Sequence, residues 1–295
     1  MSDTLVPSYQ QRLERRCRQV NSVLCAGIDP SPESLALLAD SGSSISGQLE
    51  RFSGMIVESV RDVAAAVKFQ VAWFELHGAD GMRALERSMQ YARRAGLIVV
   101  ADAKRGDVPH SARAYAQAWL SADSVFAADA LTVNAAIGSD ALDAMMEIAS
   151  VSRTQTYVLV HTSNPGAASL QGALLDSGKP WWITLAQMVE SAGAGAVVGA
   201  THPHVFQQAR SQMPTAPLLI PGIGAQGGSI DDLIPLATDD SAPVLVAVSR
   251  SLLPDHPCQT GEFREVISGR AADLATQTIP LISSRVRARG VISSA

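Results

Sequence analysis

Leu97-Ile98-Val99-Val100-Ala101-Asp102-Ala103-Lys104-Arg105-Gly106-Asp107 is an apolar run that ends in charges of alternating sign. Consecutive apolar residues without polar alternation read as a strand buried on both faces. The charges fall at its C-terminal end, where a loop is expected to begin. Opposite charges about 4 Å apart attract by about 4 kcal/mol at an effective dielectric of 20, whereas an isolated buried charge is costly. The Asp-x-Lys-x-x-Asp spacing therefore makes the cluster tolerable and holds Lys104 ready for proton transfer. A purely structural ion pair at a strand end is the competing reading of this segment.

Similar apolar runs recur at 24–28, 65–69, 130–133, 157–160, 195–199, 217–220 and 243–248, which with 97–101 makes eight expected strands. Between them, apolar residues at helical spacing predict helices over 49–63, 81–94, 111–120, 139–148 and 181–191. Gly96 is placed to stop the second of these. A last helical stretch, 263–289, is interrupted by Pro280. Strand–helix units in this number predict a (β/α)8 barrel rather than an open sheet. The expected organisation is one α/β barrel domain over 1–295, with 1–20 as an N-terminal helical extension. Residues 41–47, rich in Ser and Gly, read as a loop and not as a domain boundary.

The chain has 295 residues, 47% hydrophobic and 17% charged, with a net charge of −5. That balance predicts a large core, and no basic patch points to nucleic acid. Cys17, Cys25 and Cys258 lack metal-ligand spacing and pairing number, so buried thiols are expected and no metal. The polar N-terminus carries no signal-like apolar segment, and no run reaches membrane-spanning length. A cytoplasmic protein without membrane partners is the expectation.

Asp29, Lys68, Asp102, Lys104, Asn134, Ser163, Gln226 and Arg250 all fall at or just past the C-terminal ends of expected strands. In a barrel those ends share one mouth, where active sites lie. Any one of them has an ordinary explanation, and Asn134 alone reads as a turn residue. Pro221-Gly222-Ile223-Gly224-Ala225-Gln226-Gly227-Gly228 follows the seventh expected strand and Arg250 ends the eighth. That is the usual place for a phosphate site in a barrel, with glycine amides and an arginine fork as donors. His202-Pro203-His204 reads as an exposed loop rather than a metal site.

Six segments carry a resemblance. They are Gly27-Ile28-Asp29-Pro30, Val67-Lys68-Phe69-Gln70, Asp102-Ala103-Lys104-Arg105-Gly106-Asp107-Val108, Thr162-Ser163-Asn164-Pro165-Gly166, the 221–228 run and Ser249-Arg250-Ser251. In that order they resemble orotidine 5′-phosphate decarboxylases, particularly the longer bacterial branch. The chain departs from relatives at Ala135-Ala136, where Pro and an aromatic are common, and at Ser111, where Thr is common. The resemblance implies cofactor-free decarboxylation of orotidine 5′-monophosphate to uridine 5′-monophosphate in de novo pyrimidine synthesis. It implies a charged tetrad of Lys68, Asp102, Lys104 and Asp107, with Lys104 protonating C6. Asp29 and Lys68 would bind ribose hydroxyls, Ser163 the pyrimidine, and Gln226 and Arg250 the phosphate, with Asn134 also at the substrate. Asp107 would reach the site of a second subunit, implying a homodimer. Two other readings stand beside this one. They are a metal-dependent sugar-phosphate decarboxylase or aldolase-type relative, and a non-catalytic nucleotide-binding barrel.

Overall fold

The computed structural model describes residues 6–38, 44–201, 203–224, 227–236 and 242–282. Eight parallel strands close on themselves in chain order. They are β1 (Leu24–Ile28), β2 (Ala66–Gln70), β3 (Ile98–Arg105), β4 (Ala130–Val133), β5 (Gln155–His161), β6 (Gly195–Val198), β7 (Leu218–Pro221) and β8 (Val244–Val248). Each expected apolar run became a strand, because side chains on the inner face fill the barrel while those on the outer face pack under helices. Phe69, Tyr157, Leu24 and Ile28 are among the largest fully buried side chains of these strands.

Helix Tyr9–Val20 lies on the N-terminal side of the barrel. Ser8 caps it reciprocally with Gln11. The Tyr9 hydroxyl meets that of Tyr157 at 2.9 Å, and Arg16 Nε donates to the Ala64 carbonyl at 3.3 Å. Arg12 pairs with Asp129, which precedes β4 and accepts the Val99 N–H at 2.9 Å. These partners sit at strand beginnings, so the helix covers the end opposite the mouth.

Three expectations need correction. First, β3 continues through Asp102, Ala103 and Lys104 to Arg105, so these charges stand on strand and not on a loop. Second, Ser44–Gly47 is not loop. Ser44 accepts the Gly47 N–H and starts helix Ile45–Val60, while 41–43 lie outside the described residues. Third, His204 belongs to helix Pro203–Gln212, which sequence reading missed, and His202 lies outside the described residues. Between β7 and β8 the described residues include the 3-10 turn Asp231–Leu236. At the C-terminal end, helix Thr260–Thr278 passes into the 3-10 turn Ile279–Leu281 at Pro280, and 283–289 lie outside the described residues. The three cysteines are free and buried, as expected.

Candidate active site

The barrel mouth holds a cavity of about 870 Å³ lined by Asp29, Lys68, Asp102, Lys104, Ser163 and Arg250, among others. Register places the first of these together. Gly27 on β1 pairs with Lys68 on β2, and Gln70 pairs with Asp102 on β3. Lys68 and Gln70 are two residues apart on one strand, so both point to the same face.

The charges alternate in space as they do in sequence. Lys68 Nζ lies 3.8 Å from Asp29 Oδ1 and 2.9 Å from Asp102 Oδ2. Lys104 Nζ lies 2.7 Å from the other oxygen, Asp102 Oδ1. Burial alone would raise the Asp102 carboxyl pKa, but Lys68 and Lys104 outweigh it and hold the group well below the usual carboxylate range. Burial likewise opposes the Lys68 ammonium, and Asp102 and Asp29 outweigh it, so that the lysine is held charged above its ordinary value. Lys68 and Asp102 are only 6% and 7% exposed, so neither charge would persist here alone. Asp29 Oδ1 is buried without a hydrogen bond.

Sequence reading missed two further partners of Asp102. Gln70 Nε2 donates to Oδ2 at 3.2 Å, and the Thr132 hydroxyl donates to Oδ1 at 2.8 Å. A signal was present for both. Gln70 follows Lys68 at strand spacing, and Thr132 is the one polar residue in Ala-Leu-Thr-Val. Trp73, just past β2, also lines the cavity.

The two ends of the barrel seam meet closely. A Cβ at Gly27 would lie 1.8 Å from Ser249 Oγ, so only glycine lets β1 approach the residue before Arg250. Arg250 is exposed at the start of the 3-10 turn Arg250–Leu252 and faces the cavity. In the glycine-rich turn after β7, the Gly224 N–H bonds Gly228 O at 3.1 Å, Gly227 N–H bonds Gly224 O at 2.8 Å, and Gly228 N–H bonds Gly222 O at 3.0 Å. Those amides close the turn on itself instead of facing an anion, because positive φ at Gly222, Gly224 and Gly227 folds the chain back. Gln226 lies outside the described residues.

Two expected residues stand apart from the cavity lining. Asn134 is exposed, and its Oδ1 accepts the Ala136 N–H at 3.1 Å in the turn after β4. Asp107 Oδ1 accepts the Val108 N–H at 2.7 Å just before helix Pro109–Leu120. His161 is buried with its ring edge-on to Trp182, 6.3 Å between centroids, a packing role.

Comparison with known proteins returns the family described as orotidine 5′-phosphate decarboxylase / HUMPS, whose model matches residues 22–256. The orotidine 5′-phosphate decarboxylase of Rhodopirellula baltica is 36% identical over 270 residues, covering 84% of this chain and 89% of that protein. That of Salinispora tropica is 39% identical over 264 residues, covering 85% and 91%. Among solved structures, the OMP decarboxylase of Leishmania donovani superposes with a TM-score of 0.76 at 28% identity, covering 94% of this chain and 99% of that one. The Methanocaldococcus jannaschii enzyme complexed with the inhibitor BMP shares the fold, with a TM-score of 0.63 at 19% identity over 87% of this chain and 98% of that one.

Proposed function

The chain belongs to the orotidine 5′-phosphate decarboxylase / HUMPS family, and from that premise we infer that it removes carbon dioxide from orotidine 5′-monophosphate, leaving uridine 5′-monophosphate. The observation that carries this reading is the alternating Asp29–Lys68–Asp102–Lys104 array at the barrel mouth. In the proposed step the bond from C6 to the carboxylate carbon breaks and CO2 leaves. The electron pair stays on C6 and takes a proton from Lys104 Nζ, which regains one from solvent. Ammonium groups held in place beforehand stabilise the negative charge that develops at C6. Asp102 keeps Lys104 oriented beside the substrate carboxylate, and Lys68 keeps Asp102 ionised.

The remaining contacts bind substrate. The buried Asp29 oxygen without a hydrogen bond suits a ribose hydroxyl, and Lys68 suits another. Ser163 would hydrogen-bond the pyrimidine. Arg250, with Gln226, would hold the phosphate, whose binding energy then serves to organise the reacting end. Asn134 shapes the turn beside this site in our reading. Asp107 does not line its own chain's cavity, which supports a homodimer in which it completes the neighbouring site. The expected tetrad is then assembled from two subunits.

Both carboxylates lining the array are already neutralised by lysines, an arrangement that favours an anionic substrate over a divalent cation. The metal-dependent sugar-phosphate reading therefore has less support, and an intact charge array argues against a scaffold without activity. Among the described residues no helix is long and apolar enough to cross a membrane. The test is loss of the orotidine chromophore on incubation with orotidine 5′-monophosphate after exhaustive chelation. Turnover at the untreated rate is expected. Activity that disappears with chelator and returns with magnesium would overturn the cofactor-free mechanism.

A further inference from the structure

The strand that carries the reacting lysine is not regular. β3 and β4 pair at Ala101 with Leu131 and again at Arg105 with Val133. Asp102, Ala103 and Lys104 thus stand opposite the single residue Thr132. A strand with more residues than its neighbour must bulge, and the bulge leaves backbone groups without ladder partners. Lys104 absorbs the extra length with φ +49, a left-handed conformation uncommon for a side chain of this kind.

Thr132 resolves the mismatch with its side chain. Its hydroxyl oxygen accepts the Lys104 backbone N–H at 3.0 Å and its proton goes to Asp102 Oδ1 at 2.8 Å. The same Asp102 oxygen accepts Lys104 Nζ at 2.7 Å. One hydroxyl therefore ties the backbone of Lys104 and the carboxylate that aims its ammonium into a single closed ring. Thr132 is 1% exposed, so water does not replace these bonds.

Resting on the decarboxylase reading above, we propose that Thr132 is a positioning residue for the reaction, acting through Asp102 and Lys104. Its hydroxyl holds the bulged β3 in the one conformation that points the lysine at the carbon to be protonated. Valine has the same shape without the two hydrogen bonds, and serine has the bonds without the methyl group. The hydroxyl, not the volume, is what the site needs. Misplacement of a reacting group by about 1 Å can cost about a hundredfold in rate. The phosphate and ribose contacts come from other strands and do not involve Thr132.

The experiment compares Thr132→Val, Thr132→Ser and wild type by kcat for orotidine 5′-monophosphate and by uridine 5′-monophosphate affinity. Thr132→Val is expected to lose about a hundredfold in kcat with product affinity unchanged. Thr132→Ser is expected to keep most of the wild-type kcat. Thr132→Ala takes the place of the valine variant if that protein does not fold. Equal losses in the valine and serine variants would show that packing matters and overturn the inference, as would an unimpaired valine variant. Parallel losses of kcat and product affinity would show general collapse of the mouth, and overturn it too. Wild type that is itself inactive would sink the decarboxylase reading and this inference with it. Active wild type with any of the contrary variant results sinks the inference alone.

Discussion

Asp102→Asn tests the charge array at its centre. The native carboxylate accepts from Lys68 at 2.9 Å, Lys104 at 2.7 Å, Thr132 at 2.8 Å and Gln70 at 3.2 Å. An amide offers one oxygen, so its NH2 must face either the Lys68–Gln70 pair or the Lys104–Thr132 pair. Breaking a buried ion pair by removing one partner costs about 3–5 kcal/mol. Lys68 keeps Asp29 at 3.8 Å, and the Lys104 side chain is 45% exposed, so the lower end, about 3 kcal/mol, is expected. Urea unfolding followed by tryptophan fluorescence reads this as a lower midpoint at unchanged slope. The pH dependence has a definite sign. The Asp102 carboxyl is held below its ordinary value, so its stabilisation is present above about pH 4 and lost as pH falls through the lowered native value. The Lys68 ammonium is held above its ordinary value, so its stabilisation is present below about pH 10 and lost as pH rises through the raised native value. The gap between wild type and variant should therefore be widest between those limits and narrow on the acid side. Equal stability at neutral pH would refute the reasoning, as would a gap that stays constant from about pH 5 down to 2.

Other outcomes follow from the same geometry. Arg250→Ala should raise the Kd for uridine 5′-monophosphate about tenfold or more while leaving uridine unaffected, since a charge-assisted contact is worth about 1.5–3 kcal/mol; calorimetry with both ligands checks it, and equal losses would dissociate Arg250 from the phosphate. Gly27→Ala should force β1 and Ser249 apart, lowering both the melting temperature and phosphate-dependent affinity; a variant matching wild type in both would show that the seam yields freely. Lys104→Ala and Asp107→Ala, each nearly inactive, should recover roughly a quarter of wild-type activity when co-expressed, because half the dimers are mixed and one of their two sites is whole. Verified subunit exchange without recovery would place both residues in one chain's site.

The strands were legible because a barrel strand is wrapped on both faces and shows it as continuous apolar sequence. That signal fails where a strand turns functional. Asp102 to Arg105 looked like a loop because polarity ended the apolar run, yet hydrogen bonding carried β3 onward. Charged residues at the mouth were readable from the alternation of sign. Their neutral partners were not, since Gln70 and Thr132 matter only through register with a neighbouring strand, which periodicity does not encode. The glycines after β7 were correctly placed at the mouth, but sequence could not say that three of their amides are spent within the turn. Helix Pro203–Gln212 escaped notice because its described buried apolar residues, Val205, Phe206 and Ala209, are too few to make a clear stripe.

The seam between β1 and β8 also dictates a timetable. A ribosome adding about 5–20 residues per second needs roughly 10–40 s to pass from the first strand to the last. Through that interval Leu24-Cys25-Ala26-Gly27-Ile28 has one edge without its neighbour, an apolar template open to wrong pairing. Asp29 emerges early and Arg250 late, so no shorter nascent chain has both the ribose and phosphate ends of the proposed grip. Nucleotide cannot serve as a mould for the growing barrel; it can only reward one already closed, which leaves protection of the open edge to chaperones and to the speed of the final strand.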